Sequence, residues 1–85
     1  DLFKFIAAHL QYPPELAENS ISGKVIIKFF VTPSGHCCLF RIMRSVYPCL
    51  DREALRVLKL MPAWEWERRP KQGVWQLVPV IFRLQ

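Results

Sequence analysis

Residues 24–32 read Lys-Val-Ile-Ile-Lys-Phe-Phe-Val-Thr and run directly into Pro33-Ser34-Gly35. Few stretches restrict a chain more. Val25, Ile27, Phe29 and Val31 point one way; Lys24, Ile26, Lys28 and Phe30 point the other. Period two in β-branched and aromatic residues is a strand. Thr32-Pro33-Ser34-Gly35 then carries proline at i+1 and glycine at i+3 of a turn. The chain must double back, so residues 36–45 form the second strand of a hairpin. Their apolar set is Cys37, Leu39 or Phe40, and Ile42. The alternation slips between Leu39 and Phe40, which predicts a bulge.

Prolines at 13, 14, 33, 48, 62, 70 and 79 punctuate the rest. Residues 1–10 read as a helix capped by Asp1, with Leu2, Ile6 and Leu10 recurring every four residues. It ends before Tyr12-Pro13-Pro14, because a residue preceding proline is pushed out of the α region. Residues 15–19 form a short helical turn and 20–23 a loop. A second helix runs over 51–61, with Asp51 as its cap and Ala54, Leu55, Leu58 and Met61 as its apolar stripe; Pro62 stops it. A third strand covers 74–84, where Val78, Val80, Phe82 and Leu84 alternate with Leu77, Pro79, Ile81 and Arg83. The order is helix, turn, strand, strand, helix, strand. That is an α+β two-layer domain, a three-stranded antiparallel sheet with two helices packed on one face. Its expected core is Val25, Ile27, Phe29, Ala54, Leu58, Trp64, Val80 and Phe82. Pro79 cannot donate to a ladder, so the last strand lies at a sheet edge. An exposed edge is a docking template for another extended chain.

At 85 residues the chain is one domain, 1–85. It buries only about 60–65% of its unfolded surface and has little room for an enclosed active site. Hydrophobic residues at 52% and charged ones at 22% make it globular, and no apolar run is long enough to span a membrane. It opens on Asp1 without a signal pattern, so the expectation is a piece of a longer protein. The net charge of +5 comes from scattered basic residues and reads as a solubility feature.

The chemistry on offer is sparse. His36 adjoins Cys37 and Cys38, but strand neighbours point to opposite faces and do not converge on one ion. Glu65 and Glu67 flank Trp66 in a solvated loop. With only Gly23, Gly35 and Gly73, no phosphate loop exists. The three cysteines have no CxxC spacing; Cys38–Cys49 and Cys37–Cys49 remain alternative bridges. No catalytic residue, metal site or cofactor is expected, and the chain is not an enzyme. Trp64, Trp66, Arg68, Arg69, Lys71 and Trp75 interleave bases and aromatics, yet no aromatic pair falls into a recognised pattern on adjacent strands, so no nucleic acid is expected as partner.

An ordered set of residues resembles the TonB C-terminal domain family. The set runs Tyr12-Pro13 after a helix, Gly23-Lys24-Val25 opening a strand, Phe29, Val31 and the turn at Gly35. Leu50-Asp51 with Ala54, Met61-Pro62-Ala63-Trp64, and Val78-Pro79-Val80-Ile81-Phe82-Arg83-Leu84 complete it. The Tyr-Pro and Val-Pro-Val-x-Phe forms are similar to those of the Bacteroides group. The resemblance implies a periplasmic domain of an inner-membrane-anchored energy transducer. Such a domain binds the TonB box of a TonB-dependent outer-membrane receptor by strand addition and acts with ExbB- and ExbD-like inner-membrane proteins. The implied contacts are Val74, Gln76, Val78, Pro79, Val80 and Ile81 on the last strand, flanked by Tyr12, Pro13 and Pro14. The edge strand also permits a homodimer. The alternative under the same fold is a peptide-binding appendage of a membrane sensor peptidase or another envelope protein.

Overall fold

The alternating strand becomes the centre of the sheet. The computed structural model describes residues 2–12, 14 and 22–83. Strand β1 spans Gly23–Val31, β2 spans Cys37–Arg44 and β3 spans Val74–Phe82, with helix α1 at Leu2–His9 and helix α2 at Pro48–Lys59. The strand order is β2-β1-β3, and both pairings are antiparallel. Val25, Ile27, Phe29 and Val31 are wholly buried, as their spacing requires. Val78, Val80 and Phe82 of β3 share that face, and both helices cover it. The architecture is α+β, a two-layer domain whose second sheet face carries no helix among the described residues. The Asp1 cap, the turn at 15–19, Pro13 and Leu84 lie outside the described residues.

The hairpin turn also anchors the long connection. Gly35 N–H donates to the Thr32 carbonyl, and Thr32 N–H donates to the His36 carbonyl, both at 2.9 Å. Gly35 sits at φ +94°, and a Cβ there would stand 2.3 Å from the Trp64 carbonyl oxygen. Only glycine fits such a site. Its carbonyl accepts Trp64 N–H at 2.8 Å. Trp66 Nε1 donates to the Thr32 carbonyl and Arg69 Nε to the Pro33 carbonyl, at 3.2 and 3.1 Å. Trp64 lies edge-on to Phe29, with Trp66 tilted against it, so both close the end of the core.

The bulge expected between Leu39 and Phe40 is present. The β1–β2 register slips between Lys28 and Phe30, and again between Ile26 and Ile27. Leu39 takes φ +55°. This extra residue lets Phe40 turn inward and stack on Phe29 at 5.3 Å.

Helix α2 begins three residues before the expected cap. Tyr47 is the extended residue at its start, and Pro48 follows as the first helical residue. Proline is pre-set for that position, where its missing N–H is not needed. Asp51 therefore lies in the first turn, buried, and accepts the Ser45 hydroxyl and Val46 N–H. Its negative charge also complements the helix N-terminus. Leu50, Ala54, Val57 and Leu58 point to the sheet, and Ile6 of α1 joins them.

Candidate functional site at the outer edge of the third strand

Strand β3 pairs with β1 through nine consecutive residues without a slip. Pro79 opposes Ile26 in that ladder. It has no N–H to exchange, so the ladder bonds fall on the flanking pairs, Val25 with Val80 and Ile27 with Val78. The Thr32-to-His36 bond fixes the same phase independently. Even-numbered residues of β1 turn their main chain toward β2, and odd-numbered ones toward β3. Trp75, Leu77, Pro79 and Ile81 consequently direct their main-chain groups away from the sheet. They offer three N–H and four C=O groups, because proline lacks the donor.

The same four residues place their side chains on the open face. Leu77 is 62% exposed, Ile81 47% and Trp75 41%. The other free edge is unlike this one. Strand β2 is broken by two register slips and by the left-handed Leu39, features that blunt an edge against pairing. The regular template is β3.

The sequence-derived contacts separate by phase. Val78 and Val80 are buried and spend their main chain on β1. Val74 and Gln76 share that phase, with partly exposed side chains at the strand start. Pro79 and Ile81 face outward. Trp75 and Leu77 were not among the expected contacts, yet they have the outward phase; the parity of Pro79 alone points to them. Pro14 is exposed and Pro13 lies outside the described residues.

Tyr12 is held at the far end of β3, its ring edge-on to Phe82 at 5.9 Å. Its hydroxyl is buried without a hydrogen-bond partner among the described residues. The chain reaches this place because α2 grips the exit of α1. Arg56 chelates Glu53 at 2.7 and 2.8 Å and also donates to the His9 carbonyl at 3.0 Å. Gln11 N–H donates to Glu53. The Arg56 hydrogen bond holds the Glu53 carboxyl below its usual range, against a smaller opposing effect of burial.

The open face carries Lys28 and Arg41, and none of the described acidic residues lies in a strand. Lys28 Nζ stands 4.7 Å from the centre of the Trp75 ring, Arg41 Cζ stands 5.8 Å from it, and Phe30 meets it edge-on at 5.2 Å. All three cysteines are free, and burial raises the Cys37 thiol above its ordinary value. Among the described residues, no group of three His, Cys, Asp or Glu side chains converges to hold a metal ion. No helix among them is long and apolar enough to cross a membrane.

Residues 8–84 match the family model for the Gram-negative bacterial TonB protein C-terminal region. An NMR solution structure of the Helicobacter pylori TonB-CTD (residues 194–285 of that protein) superposes with a TM-score of 0.78. It is 20% identical, over 99% of this chain and 90% of that one. A longer form of the same domain (residues 179–285) gives 0.74 at 22% identity, over 96% and 76%. At these identities the likeness shows the fold. No curated protein sequence matches the chain.

Proposed function

The chain belongs to the family of Gram-negative bacterial TonB protein C-terminal domains, and from that premise we propose that it binds an extended segment of an outer-membrane receptor as a fourth strand beside β3. The observation that carries this reading is the uninterrupted outer edge of β3, where the main chain of Trp75, Leu77, Pro79 and Ile81 has no strand partner among the described residues. The domain works by binding rather than by chemistry. It stands in the periplasm as part of an inner-membrane-anchored transducer, and ExbB- and ExbD-like partners act through the rest of that protein. A second copy of the chain competes for the same edge.

Energetics divide the labour within such a complex. Each main-chain bond contributes about 0.5–1.5 kcal/mol net. Ordering each residue of the arriving peptide costs about 1–2 kcal/mol. Pairing therefore fixes register and direction, while burial on Trp75, Leu77 and Ile81 supplies the surplus.

The test is an amide NMR titration with peptides from the N-termini of outer-membrane receptors. The expected result is movement of the Trp75, Leu77 and Ile81 amides, with smaller changes at Tyr12. A folded domain whose β3 amides stay still with every such peptide refutes strand addition.

A further inference from the structure

Lys28 and Arg41 are register partners on β1 and β2. Two like charges directly opposite one another destabilise a sheet. Both lean across to the edge strand and lie over the face and rim of Trp75. The one ion pair among the described residues is Glu53–Arg56, so among them no acid is matched to either cation. A cation of the central strand and one of the far edge strand thus converge on Trp75 of β3, on the side from which a partner arrives.

We propose that Lys28, Arg41 and Trp75 form an anion subsite, and that the segment added to β3 carries a glutamate or aspartate opposite Trp75. The proposal rests on strand addition at β3. A fourth strand lies about 4.8 Å beyond the third, and the Lys28 ammonium already spans one such spacing to reach Trp75. A carboxylate on the open face of the added strand meets that ammonium directly. It relieves the Lys28–Arg41 repulsion and leaves the cations on the ring. A nucleic-acid base would instead have to displace Lys28 in order to stack. The subsite lies near the first residues of β3, so it fixes the register of the docked strand as well as its chemistry.

The test uses as host a receptor peptide that moves the β3 amides. Each of its residues is replaced in turn by Glu and by Gln. One position is expected to favour Glu over Gln by about two- to fivefold, the range of an exposed ion pair. That preference should vanish in Lys28→Gln and Arg41→Gln, and with added salt, while the Gln peptide binds every variant equally and reports an intact edge. Glu and Gln peptides that bind alike at every position, with β3 amides still moving, overturn the subsite and leave strand addition standing. If no peptide moves the β3 amides, strand addition falls and the subsite with it. A single-stranded oligonucleotide that moves the Lys28 and Arg41 side-chain resonances at lower concentration than the Glu peptide overturns the choice of occupant.

Discussion

Proline substitution at two adjacent positions of β3 tests the phase of the ladder, on which the site depends. Val78 exchanges main-chain bonds with Ile27, and both residues are buried. Val78→Pro removes the donor and leaves the Ile27 carbonyl without a partner, costing about 1–3 kcal/mol. The lost valine packing and the altered φ bring the total to about 2–4 kcal/mol. Against a stability of about 4–13 kcal/mol for a domain of this size, that change is large. Leu77→Pro is different. The outward N–H of Leu77 spends no ladder bond on β1, its side chain is exposed, and an extended Gln76 already suits a following proline. Its cost should stay under about 1 kcal/mol. Yet it removes a donor from the outer edge and puts a ring in the path of an added strand, so peptide affinity should fall by about tenfold or more. Urea melts read the stabilities, with the midpoint moving at constant slope, and peptide titration of each folded variant reads binding. Leu77→Ala keeps the donor and controls for the lost side chain. If Leu77→Pro destabilises the fold as much as Val78→Pro, the phase assignment is wrong and the outward set is not Trp75, Leu77, Pro79 and Ile81.

Two further outcomes follow from the packing. Phe82→Ala empties a wholly buried site against Tyr12 and should lower stability by about 3–5 kcal/mol in a urea melt; an unchanged midpoint contradicts its place in the core. The Glu53 carboxyl is lowered by Arg56, so its contribution to stability is complete above the ordinary carboxylate value and is lost as pH falls through the lowered one. Glu53→Gln should therefore flatten the acid limb of the stability profile, and a variant that follows the parent through that limb removes Glu53 as the source.

Much of this fold is legible in the chain because its strongest signals are local. The period-two run at 25–31, the Thr32-Pro33-Ser34-Gly35 turn and the slip at Leu39 each depend on a few adjacent residues, and the structure carries all three. The start of α2 is hidden in the sequence because Pro48 reads as punctuation, although proline suits the first helical turn. For the site, sequence locates the edge strand, but the contacts expected on it mix both phases. Trp75 and Leu77 emerge only when Pro79 is taken as a parity marker. The convergence of Lys28 and Arg41 on Trp75 depends on register between strands far apart in sequence, which no local pattern encodes. The placement of Tyr12 on Phe82 likewise depends on the hold of Arg56 and Glu53, both on α2, over the His9 carbonyl and Gln11 N–H at the exit of α1.

The unbroken pairing of β3 with β1 has a mechanical consequence. The ladder bonds run perpendicular to both strands. A tug along the strand direction, passed to β3 by a partner lying beside it, therefore strains all nine paired positions together rather than peeling them one at a time. The joint holds in shear until it yields as a unit, whereas a pull across the sheet would unzip it from one end. A domain built this way is stiff along one axis and weak along another, so the direction of loading decides whether the grip survives.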